Sequence, residues 1–285
     1  MRVLVFGKTG QVAQELKRLC PADIEMCMLG REEADLSDPP ACAAIIEKSD
    51  CDVVINVAAF TAVDRAEEEE ELAERVNGIA PKQMALAAAK KNMPFLHVST
   101  DYVFDGRDDS PFQTNHPPAP LGAYGRSKLS GEMAIRAAGG PHMILRTSWV
   151  FSSHGNNFVK TMLRLGADRK HLNVVSDQIG GPTPAGAIAK ALIEIAQTFY
   201  DGRGISGTYH FSGAPDISWA GFAREIFQQA NMNVQITDIP TSDYPTPAKR
   251  PLNSRLDCST LNTDYNIRQP DWRVGLQNVL KELDI

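Results

Sequence analysis

The chain has 285 residues, of which 43% are hydrophobic and 22% charged, and its formal net charge is −6. This acidic balance gives no footprint for nucleic acid, and the apolar runs are too short for a signal peptide or for the roughly 18 residues of a membrane span, so we expect a cytoplasmic protein. Five cysteines without a Cys-x-x-Cys pair argue against a disulfide framework and a zinc site, and we expect them to be reduced and mostly buried.

Short apolar runs alternate with helical patterns in the first half of the chain. The runs predicted to form strands are residues 3–6, 24–29, 53–57, 95–98 and 143–146. The helical patterns between them cover residues 11–20, 39–48, 68–91 and 124–138. Apolar strands that alternate with helices predict an α/β fold, with a Rossmann-like, doubly wound parallel sheet.

After about residue 150 this pattern loosens. Helical stretches at 157–165, 185–197 and 219–230 alternate with loops rich in proline and glycine. We therefore predict a dinucleotide-binding domain at 1–150 and a smaller C-terminal, mainly substrate-binding domain at 151–285. The two domains are expected to be interleaved, because some segments of the second should return to the sheet.

The turn after the first strand, in the sequence LVFGKTGQVA, contains two overlapping phosphate-binding patterns. A P-loop requires a glycine five residues before Gly7, and Arg2 stands there instead. Gly7, Gly10 and Ala13 form the alternative pattern G-x-x-G-x-x-A, in which a strand meets a tight turn and a helix N-terminus can hold a pyrophosphate. This spacing departs from the common G-x-G-x-x-G, so the turn alone leaves a turn without a ligand open.

The end of the second predicted strand bears on the choice of cofactor. NAD sites usually carry an acidic residue there, whereas a nearby arginine suits the 2′-phosphate of NADP. Gly30 and Arg31 occupy this place, which favours NADPH. NADH remains an alternative because Glu32 and Glu33 follow closely, and Arg31 is also compatible with an exposed strand end that binds nothing.

Tyr124 and Lys128 lie four residues apart, on one face of a predicted helix. An ammonium near a phenol is expected to lower the pKa of the phenol, which would let Tyr124 exchange a proton with a carbonyl oxygen near neutral pH. Such pairs also occur on surfaces without function. The context favours catalysis, because Thr100 lies where a predicted strand ends, and that edge of an α/β sheet carries the chemistry.

Five stretches of the chain together resemble one family of the extended short-chain dehydrogenase/reductases, the dTDP-4-dehydrorhamnose reductases. They are GKTGQVA (7–13), AAFTAVDRAE (58–67), STDYVFDG (99–106), RTSWVF (146–151) and YPTPAKRPLNSRLD (244–257). The resemblance implies that a nicotinamide cofactor reduces the 4-keto group of dTDP-4-dehydro-6-deoxy-L-mannose to give dTDP-L-rhamnose. Two alternatives stay open: another extended reductase or epimerase of sugar nucleotides, and a catalytically silent NADP-binding regulatory subunit.

The resemblance also implies roles for single residues, with Tyr124 as the proton donor, Lys128 as its partner and ligand of the nicotinamide ribose, and Thr100 as a third catalytic hydroxyl. With the turn and Arg31, the expected cofactor-binding residues are Gly7, Gly10, Gln11, Val12, Arg31, Asp35, Leu36, Ala59, Phe60, Thr61, Tyr124 and Lys128. The expected substrate-binding residues are Thr100, Asp101, Trp149, Arg250 and Arg255. Trp149 is equally compatible with packing between domains, and the two arginines with anchoring a surface loop.

Metal binding and assembly are the remaining questions. Some members of the family are dimers bridged by magnesium through glutamates, and Glu15 is present, but residues 180–190 offer no carboxylate. We therefore predict no required metal and leave a homodimer open. The acidic run 67–71 is interpreted as a solvated helix start. His97, inside a strand pattern, is interpreted as a satisfied buried residue.

Overall fold

The computed structural model describes all residues, Met1–Ile285. The strands are β1 (Arg2–Phe6), β2 (Glu25–Leu29), β3 (Val53–Asn56), β4 (Phe95–Thr100), β5 (His142–Thr147), β6 (Val150–Phe151), β7 (His171–Val175), β8 (Ile179–Gly180), β9 (Thr183–Pro184), β10 (Gly207–His210), β11 (Ile217–Ser218), β12 (Gln235–Ile239) and β13 (Asn253–Ser254). The helices are α1 (Gln11–Leu19), α2 (Pro39–Lys48), α3 (Val63–Ala66), α4 (Glu70–Glu74), α5 (Ala80–Lys90), α6 (Ala123–Ala138), α7 (Phe158–Asp168), α8 (Ala185–Tyr200), α9 (Trp219–Gln229), α10 (Ser259–Tyr265) and α11 (Trp272–Glu282).

The main sheet has six parallel strands in the order β10-β5-β4-β3-β1-β2. The chain moves to one side from β1 to β2 and to the other side from β3 onward, so the order reverses between β1 and β3. Ligands of open α/β sheets bind at such a reversal, outside the carboxyl ends of the strands. The predicted doubly wound α/β fold is confirmed.

Helices cover both faces of this sheet. Neighbouring residues of a strand point to opposite faces, so each face presents apolar side chains that a helix buries. On one face Val5 packs with Leu16 of α1 and Ile188 of α8. On the other face Phe6 packs with Ile46 of α2 and with residues of α5 and α6. The β1–α1 turn is thereby held rigidly above the sheet edge.

A second core lies in the C-terminal half, where α7, α9 and α11 pack with β7 and β12 around Phe151, Phe222 and Trp272. Within this half, α8 covers the main sheet and β10 pairs with β5. Residue Leu261 of α10 also belongs to the core of the main sheet, so two helices and one strand after residue 150 join that sheet. The division into domains 1–150 and 151–285 stays a prediction.

Several local expectations need correction. The helix expected over 68–91 is divided into α4, a π-helix (Arg75–Ile79) and α5. The second strand is an edge strand with alternating exposure, so Cys27 is exposed rather than buried; Cys20 and Cys51 are half-buried, and only Cys42 and Cys258 are fully buried. Strands β7, β10 and β12 were not predicted. None of the helices combines the length and apolar character that crossing a bilayer requires.

Candidate active site

The turn between β1 and α1 fits a dinucleotide pyrophosphate. Gly7 has a φ of 111°, which favours glycine, and a Cβ there would lie 3.0 Å from Val57 Cγ2. A Cβ at Gly10 would have no atom within 4 Å. No side chain caps α1, and its first turn holds no acidic residue, so the N–H groups of this helix end remain available to an anion.

The side chain of Gln11 contacts the C-terminal half of the chain. Its Oε1 accepts hydrogen bonds from Ser152 Oγ at 3.0 Å and from Asn157 Nδ2 at 2.9 Å. Val12 packs against the core. Because both side chains are engaged elsewhere, we expect Gln11 and Val12 to contact a cofactor only through their backbone N–H groups.

The end of β2 carries a cluster of charges in solvent. The Arg31 side chain is 78% exposed and its Nε lies 3.3 Å from Asp35 Oδ2, while Lys8 of the turn pairs with Glu33 at 2.9 Å. The N–H of Ser37 donates to Asp35 Oδ1, which lowers the pKa of Asp35. Leu36 is buried in the core. Arg31 and Asp35 thus lie together at the sheet edge where the adenosine half of a dinucleotide is expected.

Asn77 ties the predicted cofactor segment to the helix that carries Tyr124. Its Oδ1 accepts from Phe60 N at 2.8 Å, and its Nδ2 donates to Phe60 O and Ser127 Oγ, both at 3.0 Å. Ser127 Oγ in turn donates to Tyr124 O at 2.9 Å. Asn77 is buried inside the π-helix, a local irregularity that is frequent at functional sites. We missed it in the sequence because no motif or charge pattern marks it.

Replacing Asn77 with Ala is expected to lower the free energy of unfolding by about 1–3 kcal/mol, because the buried N–H of Phe60 loses its partner. Cofactor affinity is expected to fall with it, since the backbone of residues 59–61 is no longer held. Urea denaturation and titration with NADPH measure the two effects. The exposed Asn115, changed to Ala, is the control; equal values for both variants would contradict the positioning role of Asn77.

Thr100, Asp101 and Tyr124 come together at the carboxyl edge of the sheet. Thr100 Oγ1 donates to Asp101 Oδ1 at 3.0 Å, and the ring of Tyr124 lies edge-on to Tyr102 with 5.6 Å between centroids. Burial raises the pKa of Asp101 to about 6, and its Oδ2 has no hydrogen-bond partner. Burial also raises the pKa of Tyr124, with the Thr100 hydroxyl acting against this rise as a hydrogen-bond partner.

Lys128 lies one turn after Tyr124, but its amine contacts β4. Nζ donates to Val98 O at 2.7 Å and lies 3.0 Å from His97 Nε2, and the residue is 1% exposed. Burial lowers the pKa of Lys128 to about 8. The prediction that Lys128 lowers the pKa of Tyr124 is therefore wrong. The Lys128 amine is bound to β4, and burial raises the pKa of Tyr124. A phenol with a raised pKa stays protonated, which is the form that donates.

A buried ion pair holds α6 against the sheet. Glu132 Oε2 lies 2.6 Å from Arg146 Nη2, and Glu132 Oε1 accepts from Arg146 Nε at 2.8 Å and Ser99 Oγ at 2.6 Å. Both ionised side chains are almost fully buried. Glu132 lies one helical turn after Lys128, and its bonds to Ser99 and Arg146 join α6 to β4 and β5.

The acidic run at 67–71 differs from its expected role. Helix α4 begins at Glu70, but Glu67 Oε1 accepts from the N–H of Ala123, the first residue of α6, at 2.9 Å. Glu70 pairs with Arg126 of α6 at 2.8 Å. Glu67 is thus exposed, as expected, but it lies at the start of a different helix from the one predicted, since it satisfies the N-terminus of the helix that carries Tyr124.

Trp149 makes a packing contact with the C-terminal half. It is half-buried, has a φ of 49°, and its indole stacks on that of Trp219 with 3.5 Å between ring centroids. A Cβ at Gly180 would lie 2.9 Å from the same indole. The packing alternative thus has direct contacts, and the substrate role of Trp149 stays a prediction.

Arg250 and Arg255 both line a cleft of about 840 Å³. Arg250 Nη2 pairs with Asp64 Oδ2 at 2.7 Å, and its Nη1 donates to Tyr102 OH at 3.2 Å. Arg255 Nε donates to Asn253 Oδ1 at 2.8 Å. Each arginine thus anchors a loop and also faces the cleft, so their contact with a diphosphate stays a prediction.

Glu15 is buried and paired within the chain. Its Oε2 lies 2.6 Å from Arg18 Nη2, and its Oε1 lies 3.4 Å from His154 Nε2. No group of three or more His, Cys, Asp or Glu side chains is arranged to hold a metal ion. The carboxylate of Glu15 is thus neutralised by its own helix.

Comparison with known proteins agrees with this geometry. The family model described as the RmlD substrate binding domain matches residues 1–285. The dTDP-4-dehydrorhamnose reductase of Sinorhizobium fredii is 43% identical over 286 residues, which cover 98% of this chain and 97% of the relative. The crystal structure of a dTDP-4-dehydrorhamnose reductase from Clostridium acetobutylicum has a TM-score of 0.94 at 34% identity and covers 100% of both chains. That of the Bacillus anthracis dTDP-4-dehydrorhamnose reductase in complex with NADP has a TM-score of 0.93 at 33% identity and covers 99% of both. The resemblance found in the sequence is confirmed, and the chain belongs to the dTDP-4-dehydrorhamnose reductase family of oxidoreductases.

Proposed function

We propose that the protein reduces the 4-keto group of dTDP-4-dehydro-6-deoxy-L-mannose with NADPH, giving dTDP-L-rhamnose, and that Tyr124 donates the proton. One observation carries the proposal: Thr100 and Tyr124 lie together at the carboxyl edge of the sheet, close enough for the Thr100 hydroxyl to act on the pKa of Tyr124, and the uncapped N-terminus of α1 lies at the same edge. The full-length similarity to reductases of this name supports the substrate, and the relative solved with NADP supports the cofactor.

Tyr124, Thr100 and Lys128 have separate roles in the proposed reduction. The nicotinamide, when bound, supplies the hydride to the carbonyl carbon. Tyr124, kept protonated by burial, gives its proton to the carbonyl oxygen, and the Thr100 hydroxyl bonds to the same oxygen. Lys128 holds the nicotinamide ribose, and the first turn of α1 holds the pyrophosphate.

The remaining polar groups suit a sugar nucleotide. Asp101 Oδ2 is a buried acceptor without a partner, and a sugar hydroxyl would satisfy it. Arg250 and Arg255 offer bidentate donors for the diphosphate. Trp149 would cover the sugar from the side of α9. In this proposal the predicted domain 151–285 supplies the contacts to the diphosphate, and Asp101 and Trp149 of the predicted domain 1–150 contact the sugar.

The decisive experiment is turnover by the purified protein with NADPH and the 4-keto-6-deoxy sugar nucleotide, followed by the loss of absorbance of the reduced cofactor. We expect oxidation of NADPH that requires the sugar nucleotide. Cofactor binding without turnover would instead indicate a regulatory subunit. Turnover restricted to other keto-sugars would indicate a different reductase of the superfamily.

Cofactor choice gives a separate prediction. Arg31→Ala is expected to raise the KM for NADPH about tenfold and to leave the KM for NADH unchanged, because a hydrogen bond to a charged group contributes roughly 1.5 kcal/mol. Steady-state kinetics with both cofactors measures this. Arg203→Ala removes another exposed guanidinium, far along the chain, as the control. An unchanged ratio of the two KM values would show that Arg31 does not select the cofactor.

A further inference from the structure

Lys128 is connected to β3 and β4 by a chain of buried polar groups. His97 Nε2 lies 3.0 Å from Lys128 Nζ, and His97 Nδ1 lies 3.1 Å from Asn56 Nδ2. Asn56 and His97 are both fully buried and sit opposite each other in the β3–β4 register. Because water is excluded, each hydrogen-bond donor among these buried side chains needs an acceptor nearby in the protein.

The donor pattern follows from the turn after β3. The N–H of Ala58 donates to Asn56 Oδ1 at 3.1 Å, so the amide oxygen faces the backbone and the NH₂ group faces His97. Nδ1 of His97 must accept this bond, and a neutral imidazole then carries its proton on Nε2. Burial lowers the pKa of His97 well below its usual value, which keeps the ring neutral.

This tautomer directs an N–H group at Lys128. An ammonium has three donors and no lone pair, so it cannot accept from Nε2–H. A neutral amine accepts that bond and still donates to Val98 O at 2.7 Å. The network is fully satisfied only when Lys128 is an amine.

We propose that Asn56 and His97 are positioning residues that stabilise the neutral amine of Lys128, through a His97 imidazole held as its Nε2–H tautomer. The protonation state is a property of the folded chain. Its consequence for catalysis rests on the proposed function: a Lys128 ammonium that gives up a proton during turnover becomes the amine that His97 accommodates.

The charged surroundings agree with this assignment. The titratable and charged groups that face Lys128 are His97 of β4, Glu132 of its own helix and, behind Glu132, Arg146 of β5; β3 contributes the uncharged Asn56. Glu132 acts to raise the pKa of Lys128, but its carboxylate is already bonded to Arg146 and Ser99. Burial outweighs it and lowers the pKa of Lys128 to about 8, so the amine forms at a lower pH than in an exposed lysine.

Nitrogen NMR of the full chain with ¹⁵N-labelled histidine tests the tautomer directly and needs no substrate. We expect His97 to carry its proton on Nε2, with the signal assigned by its loss in His97→Gln. His210 is an internal control of opposite tautomer, because its Nδ1 lies 3.0 Å from Phe112 O and must donate. A proton on Nδ1 of His97 would overturn the proposal.

Asn56→Asp is expected to move the His97 proton from Nε2 to Nδ1. The carboxylate keeps an acceptor for Ala58 N–H and adds an acceptor for His97 Nδ1–H, so the tautomer reverses and a bare Nε2 faces Lys128. We expect the pKa of Lys128, followed by NMR of its side chain, to rise by about 1–3 pH units. The high-pH limb of kcat should move upward with it. A reversed tautomer without a change in the pKa of Lys128 would also overturn the proposal.

The two hypotheses fail in different ways. The Nε2–H tautomer in a protein that does not turn over would contradict the proposed function and leave the assignment of His97 standing. The Nδ1–H tautomer in a protein that does turn over would contradict only the assignment of His97. Should Asn56→Asp not fold, the wild-type tautomer still decides.

Discussion

Tyr124→Phe is expected to lower kcat by about 10²–10⁴-fold, the range that positioned acid catalysis typically contributes. The ring and its edge-on contact with Tyr102 are retained, so only the phenolic proton is lost. The KM for NADPH should change little, because the hydroxyl is expected to act on the substrate oxygen. Steady-state kinetics at saturating cofactor measures the effect.

Tyr102→Phe is the matched control for this variant. It removes the neighbouring phenol, whose hydroxyl accepts a hydrogen bond from Arg250. We expect a far smaller loss of kcat than in Tyr124→Phe. Nearly full activity of Tyr124→Phe would rule out this tyrosine as the proton donor.

Arg146→Met is expected to lower the free energy of unfolding by about 3–5 kcal/mol, because the buried carboxylate of Glu132 loses its two short contacts to Arg146 and keeps only the half-exposed Arg136 at 3.4 Å as a cationic partner. Burial acts to raise the pKa of Glu132, but the hydrogen bonds and charge of Arg146 outweigh it, so the pKa is lowered in the folded protein. This carboxylate therefore stabilises the wild type above its unfolded pKa of about 4.3, and the stability is lost as the pH falls through the folded value.

The difference between wild type and Arg146→Met should consequently shrink as the pH falls, since Glu132 without Arg146 can then be protonated. Urea denaturation at several pH values measures how the free energy of unfolding of each protein depends on pH. Arg203→Met removes an exposed pair with Asp201 and should stay within about 0.5 kcal/mol of the wild type. A pH-independent difference for Arg146→Met would contradict the role given to Glu132.

The predicted positions of the catalytic groups depend on patterns that any parallel sheet imposes. The apolar runs and the glycine turn place Gly7, Thr100 and Tyr124 at one edge, because the carboxyl ends of parallel strands meet there. The order of five short motifs identified the family. These features are local in sequence, which is why they could be recognised without coordinates.

The partners of these groups could not be predicted in the same way. Asn77 contacts Phe60 and Ser127 across 17 and 50 residues of chain. Likewise, Arg250 pairs with Asp64 across 186 residues. Neither pair shows a spacing that marks it, since their closeness follows from how helices and loops pack.

Lys128 shows the difference most clearly. Its spacing from Tyr124 places both on one helix, and from that alone the ammonium is expected to lower the pKa of the phenol. The tertiary structure places the amine instead against Val98 O and His97 Nε2 of β4. The sequence by itself determined the fold and the family and predicted the candidate catalytic groups, because these depend on local periodicity and motifs. Only the tertiary structure decided their protonation, because burial and hydrogen-bond partners come from strands distant in sequence.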